Sequence, residues 1–322
     1  MVEFLPSKQA MRVRFPPPAP AFCLGSLPFR LGFDRMNSPR ALIGLLLISG
    51  IASAAEVRLR ESLTFHASFD GGTEADFARG DRRLYHAPAM NRRTNATAGL
   101  PSTNATVVLA KGEGRFGDAL RFKTKSSATV FFQAATNLAY RGSNWSGTVS
   151  LWLSTDPAAD LAPGFCDPIQ ITPRAWNDAA FFVEFEKRSN SIPFRLGAYA
   201  DFKVWNPQNK KWELIPAAEK PLLAVEQPPF RRGQWTHVVF VFERYNTGRP
   251  DGMTRLYLNG EPQGMIPERE QTFTWEPART HVMLGLSYVG LFDELSLFER
   301  ALTSDEVAEL HRLPDGVRGL LK

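Results

Sequence analysis

From Leu63 onward the apolar residues of this chain recur at every second position, and that period constrains the fold more than any other feature. Leu63, Phe65, Ala67 and Phe69 alternate with Thr64, His66 and Ser68, and Val149, Leu151 and Leu153 alternate with Thr148, Ser150 and Trp152. Phe181, Val183 and Phe185 alternate with Phe182, Glu184 and Glu186. Successive side chains of a strand point to opposite faces, so each run offers one apolar face to a core. Residues 236–242 are rich in β-branched and aromatic side chains, and residues 255–258 run into Asn259-Gly260, a type I′ hairpin signal. Residues 281–286 and 291–298 read as two further strands. A helix is expected only near the end, where Thr303 and Glu306 have capping-box spacing, Val307, Leu310 and Leu313 form a stripe, and Pro314 stops it. The pattern predicts an all-β antiparallel sandwich with one short C-terminal helix. Hydrophobic residues at 43% and charged residues at 22% fit that class and exclude global disorder, collagen and a polytopic membrane protein.

The first 54 residues read differently. Met36 to Arg40 is a short basic run, residues 41–55 carry no charge, and Ala52-Ser53-Ala54 has the pattern of a signal-peptidase site. Residues 36–55 are therefore expected to be a signal peptide cut near Ala54 or Ala55, sending the mature chain to the periplasm or the exterior. The uncharged run is shorter than the ~20 residues of a helical span, so no membrane span is expected in the mature chain. Residues 11–20 back-translate into a stem, a loop, its complementary stem and a terminal CCA, the pattern of a transfer-RNA 3′ end. Residues 1–35 are accordingly expected to be a mis-annotated, disordered N-terminal extension. The net charge of +5 comes almost wholly from this leader, where Lys8, Arg12, Arg14, Arg30, Arg35 and Arg40 are set against Glu3 and Asp34 alone. The remainder is nearly neutral, which excludes nucleic acid as the expected partner.

Residues 56–322 read as one domain with long loops near 72–114 and 202–232. Cys166 is the one cysteine after the leader and is expected to be a small buried apolar residue. Gly112, Gly114 and Gly117 match a dinucleotide fingerprint, but residues 118–122 read as a strand, so the βαβ context is missing. Ser287 is flanked by Gly285 and Gly290, a near miss to a nucleophile elbow, and is read as a hairpin residue. Glu184 and Glu186 share one strand face, as paired catalytic carboxylates would, but are expected on a solvated face.

Four ordered segments carry a family resemblance: residues 63–71, residues 114–122, residues 234–240 with 255–260, and residues 290–302. Together they resemble a laminin-G-like jelly roll of the concanavalin A-like lectin/glucanase superfamily, of the secreted bacterial type. That resemblance implies lectins, adhesion modules, hydrolases and lyases alike. It also implies a structural calcium ion held by Asp293 and the loop opening at Asp70, whose carboxylates are suitable hard ligands. On the alternation, Asp293 is expected to share a face with Leu291, Leu295 and Leu297. The E-x-D-x-x-E signature of laminarinase-like hydrolases is absent.

The function expected first is a secreted, non-catalytic carbohydrate-binding or adhesion module, recognising a polysaccharide or glycoconjugate through loops or a concave sheet. Its candidate binding residues are Arg174, Trp176, Asn177, Asp178, Trp205 and Trp212, aromatic faces and planar polar groups suited to sugars. A polysaccharide-active hydrolase or lyase is the second expectation, with Glu184, Glu186 and Asp178 as weak catalytic candidates and Asp167 nearby. A cell-surface module that binds a protein is the third.

Overall fold

Period-two alternation produces strands throughout, in a computed structural model that describes residues 53–102 and 106–322. The expected upstream extension and the expected signal peptide up to residue 52 lie outside the described residues. The strands in chain order are β1 (Leu63–Ala67), β2 (Phe77–Ala78), β3 (Leu84–Ala87), β4 (Thr97–Ala98), β5 (Val107–Ala110), β6 (Ala119–Phe122), β7 (Thr129–Gln133), β8 (Trp145–Ser154) and β9 (Gly164–Thr172). They continue with β10 (Ala180–Lys187), β11 (Phe194–Tyr199), β12 (Leu222–Val225), β13 (Thr236–Tyr245), β14 (Gly252–Leu258), β15 (Glu261–Arg269), β16 (His281–Leu286) and β17 (Gly290–Phe298). The helices are α1 (Ala54–Ser62), α2 (Pro157–Asp160), α3 (Phe202–Trp205) and α4 (Ser304–Arg312).

Two antiparallel sheets result. The first runs β15-β14-β13-β8-β17-β1-β2, with β6 also on β17 and β5 on β6. The second runs β12-β11-β10-β9-β16-β7-β3-β4. Between them lies one apolar core that includes Phe65, Phe132, Val149, Leu151, Phe181, Val183, Phe240 and Leu284. Trp145 is fully buried there, with its ring centroid 4.5 Å from that of Phe242 and 5.2 Å from that of Trp275. The Asn259-Gly260 hairpin forms as expected, with φ of 53° and 82°. Cys166 is buried, and its thiol is pushed up to about 12, chiefly by burial, so it is neither nucleophilic nor readily oxidised.

The expected loops are only partly loops. Residues 72–114 contribute β2 and β5 to the first sheet and β3 and β4 to the second. Residues 202–232 contain α3 and the edge strand β12. Strands of two to four residues are too short to reveal a period, which is why the sequence does not announce them.

The outer face of the first sheet is covered by helices. The Thr303–Glu306 capping box forms, and Val307 and Leu310 of α4 pack with Leu59, Val239, Val241 and Tyr257. α1 is an addition to the single helix expected. The Ser53 side chain accepts the Glu56 amide at 3.1 Å, and Glu56 accepts the Ser53 amide at 2.6 Å. Only Leu59 among its apolar residues is buried, so it lacks the stripe that would have marked it. Arg58 and Arg300 both donate to Glu306, tying α1 to α4.

Under α4, Trp152, His237 and His311 stack with nearly parallel planes, Trp152 and His237 at 4.7 Å and His237 and His311 at 5.5 Å. Burial, with help from His311 and Arg115, pushes His237 down to about 3. The unfolded chain takes up this proton near pH ~6.5 and the folded chain does not, so the contribution is complete above that pH and is lost on acidification. The drop in thermal stability between about pH 7 and about pH 4.5 is expected to be smaller in His237→Phe than in wild type, by about 2–3 kcal/mol. Equal drops in both proteins would show that this imidazole does not govern acid lability.

Candidate functional site

The outer face of the second sheet is built from the residues that alternate with its core. Tyr85, Phe131, Met283, Gln170, Phe182 and Gly197 pair across five strand boundaries into one continuous row. A Cβ on Gly197 would lie 2.2 Å from the Phe182 ring, so glycine here lets that ring lie flat over the sheet. Phe182 in turn stacks on Tyr199, with centroids 5.5 Å apart and planes at 20°. The outer row is largely buried because segments between the strands fold over it. The 3₁₀ turn Met90–Asn95 covers the Phe131–Met283 end, where Met90 packs on that cluster.

The other end is covered by the β9–β10 connector, and here the structure brings together all six of the expected binding residues. Trp176 packs edge-on against Tyr199 at 5.5 Å and Trp212 at 6.5 Å. Trp205 donates its indole N–H to the Asn177 carbonyl at 2.8 Å, and Asp178 accepts the Phe202 amide at 2.9 Å. Arg174 lies 3.4 Å from Asp178 and is also paired with Asp201, which accepts the Thr274 amide and hydroxyl. Lys220 sits 4.3 Å above the Trp212 ring. The six have different parts. Trp205 and Trp212 are half-buried and hold the segments together, whereas Trp176 is 47% exposed and offers an aromatic face to solvent. Beside this cluster and sharing Arg174 is a pocket of about 600 Å³, lined also by Arg93, Thr94, Gln133, Thr274, Arg279 and His281.

A second polar group lies on the same sheet face. Glu184 is not solvated as expected: it is 6% exposed and paired with Arg195, its cross-strand neighbour. Glu186 is half-buried, is bound at 2.7 Å by the same guanidinium and is also paired with Arg188. Burial raises Glu184 above the usual carboxylate range against the pull of Arg195. Asp167, half-buried beside it on β9, is raised well above that range by loss of solvent around its carboxyl and by the Glu184 charge. Arg195 was hidden in the sequence because it falls between Phe194 and Leu196 on a short strand. Arg93 and His281 gave no signal beyond their residue types.

Asp293 faces the opposite way from the alternation. Glu294 has φ of 54° and the ladder between β17 and β8 shifts register there, so a bulge turns Asp293 out of the core between the sheets. Phe292, Leu295 and Leu297 remain in that core. Asp293 accepts the amides of Arg115 at 2.7 Å, Phe116 at 3.4 Å and Glu294 at 2.8 Å. Burial pushes it up to about 8 in spite of these donors. Asp70 accepts the Asp118 amide at 2.7 Å and pairs with Arg318 at 2.6 Å. Gly117, at φ of 83°, admits Asp70 where a Cβ would stand 2.1 Å from its oxygen, so the glycine-rich motif serves packing. Among the described residues, no three Asp, Glu, His or Cys side chains converge to hold a metal ion. In this arrangement the carboxylate oxygens of Asp293 accept backbone amides, and those of Asp70 are shared between the Asp118 amide and Arg318.

Removing Arg195 would leave Glu184 buried without its partner, so Arg195→Met is expected to destabilise the fold by about 3–5 kcal/mol. Adding Glu184→Gln should restore much of that loss, as read by urea unfolding; additive losses would show that the pair is not coupled. Calcium at about 1 mM, added to chelator-treated protein, is expected to leave Tm unchanged, because ions stabilise only by binding. A rise of several degrees, lost in Asp293→Asn, would show that calcium binds at this carboxylate.

The profile of the concanavalin A-like lectin/glucanases superfamily matches residues 127–308. No curated protein sequence matches the chain. Among solved structures, the binding domain of botulinum neurotoxin DC, in complex with SialylT, superposes with a TM-score of 0.50 at 12% identity, covering 79% of this chain and 52% of that one. Domain 4 of an extracellular arabinanase from Geobacillus stearothermophilus, in complex with arabinotriose, gives 0.49 at 18% identity, covering 78% and 98%. A Trypanosoma rangeli sialidase gives 0.47 at 14% identity, covering 80% and 33%, so the chain spans about a third of that enzyme.

Proposed function

Since the chain belongs to the concanavalin A-like lectin/glucanases superfamily, we propose that it acts as a non-catalytic carbohydrate-binding or adhesion module, exported by cleavage near Ala54 or Ala55. The observation that carries this reading is the exposed Trp176 face, braced by Tyr199 and Trp212 and set beside a polar pocket. Sugar rings stack on aromatic faces through their C–H groups, and planar polar side chains at the rim fix their hydroxyls. Here Arg174, Asn177 and Asp178 are held in place by Asp201, Trp205 and the Phe202 amide, so the rim is ordered before any ligand arrives. Preorganisation of that kind lowers the entropic cost of binding.

A polysaccharide-cleaving enzyme is the second reading. It is favoured by one observation: Asp167 and Glu184 are neighbours whose surroundings hold both carboxyls in the protonated direction, as a general acid requires. Glu184 and Glu186 are both bound by Arg195, which weighs against their serving as a free nucleophile or base.

Binding of the full chain to a panel of polysaccharides tests both readings. Saturable binding to at least one glycan, weakened about tenfold or more in Trp176→Ala at unchanged Tm, is the expected result. Equal affinity in Trp176→Ala would remove this site from the proposal. Release of reducing ends or unsaturated products, lost in Asp167→Asn, would replace the non-catalytic reading with the enzymatic one.

A further inference from the structure

We propose that the pocket beside Trp176 seats an anionic sugar unit, carboxylated or sulfated, and that Arg93 pairs with its negative group. This rests on the carbohydrate reading above and names the class of glycan.

Arg93 is half-buried on the wall of the pocket. Its Nε donates to His281 Nδ1 at 3.2 Å, and its Nη1 donates to the Met90 carbonyl at 2.6 Å and lies 3.3 Å from the Met283 sulfur. These contacts fix the plane of the guanidinium and leave Nη2 without a protein acceptor among the described residues. None of them supplies charge. No carboxylate among the described residues lies within ion-pairing distance of Arg93, and burial already disfavours its charged form. A cation withdrawn from water without a counter-ion is costly, and a bound anion offsets that cost.

His281 reinforces the assignment. Burial and the adjacent Arg93 push it down to about 4, so it stays neutral near pH ~7 and accepts from Arg93 without adding charge.

The other charges of the lining are paired, which singles out Arg93. Arg174 and Arg279 also border the pocket, but Arg174 is paired with Asp178 and Asp201 and Arg279 lies against Glu276, so Arg93 is the lining arginine with no carboxylate partner among the described residues. Glu276 lies 3.4 Å from Arg279 with both side chains exposed, so that pair is screened by solvent. Asn91, Thr94, Gln133 and Thr274 supply uncharged donors and acceptors for sugar hydroxyls. A guanidinium recognises carboxylate and sulfate by the same charge-assisted hydrogen bonds. Arg174 borders the pocket and lies two residues from Trp176 in the chain, which links the two parts of the proposed site.

The test compares glycans matched in backbone and different in charge. Full-chain protein is titrated with polygalacturonate and its methyl ester, and with dextran sulfate and dextran. The expected result is tighter binding to the charged member of at least one pair, reduced about tenfold in Arg93→Ala, with affinity for any neutral glycan unchanged. Preference confined to polygalacturonate identifies a carboxylate, and preference in both pairs identifies a general anion site; either supports the proposal. Arg279→Ala, at the exposed rim, is expected to weaken charged binding without affecting folding. It keeps the test open if Arg93→Ala lowers Tm. Equal affinity for charged and neutral members, or an Arg93→Ala protein that keeps the preference at wild-type Tm, overturns the anionic proposal and leaves the carbohydrate reading standing. Absence of binding to every glycan, neutral ones included, overturns both.

Discussion

Strand β17 lies against β8 on one edge and against two different partners on the other, β6 for residues 290–292 and β1 for Leu295 to Phe298. Much of the first sheet depends on that division. Where β6 gives way to β1, the ladder is interrupted and a bulge forms, and two acidic residues, Asp293 and Glu294, are buried at the break. Buried backbone amides near such a break need acceptors, and a buried carboxylate needs donors. The two needs are met together. Asp293 takes amides from the Arg115–Phe116 turn, and Glu294 takes the Val317 amide at 3.2 Å. The glycine-rich turn and the C-terminal tail are therefore joined to the sheet by the defect in its ladder.

The two outer faces of the sandwich are covered by different means. Helices α1 and α4 close the outer face of the first sheet with one apolar cluster, flanked by the Trp152–His237–His311 stack and the Glu306 ion pairs. The second sheet is covered by inserted segments rich in tryptophan and arginine, and these meet imperfectly, leaving the pocket between Arg93 and Arg174. The proposed recognition site accordingly lies on the sheet whose cover consists of connectors. Loops held by a rigid scaffold can change their side chains without disturbing the core.

Much of the fold could be read from the sequence because its long strands alternate cleanly. Val149, Leu151 and Leu153 enter the core as their period requires, and the Asn259-Gly260 turn and the Thr303 cap lie where their chemistry puts them. Asp293 was conspicuous as an acid in an apolar strand, yet its direction was misread, because a bulge inverts the alternation and leaves no mark on residue types. The site was half legible. Trp176, Asn177 and Asp178 stood out as polar and aromatic residues in a connector, but nothing local brings Trp205 and Trp212 to them. Arg195 and Arg93 take their meaning from partners, a neighbouring strand in one case and an empty wall in the other. Partnership of that kind is decided by tertiary packing.

The pairing of Leu63 with Phe298 has a kinetic consequence. β1 is completed by β17, more than two hundred residues further along, so this part of the sheet cannot close until both strands are available. Contacts this distant in sequence form slowly, since the intervening chain must be ordered first. Until then β1 and β8 each present an unpaired edge, the kind of surface that invites wrong pairing.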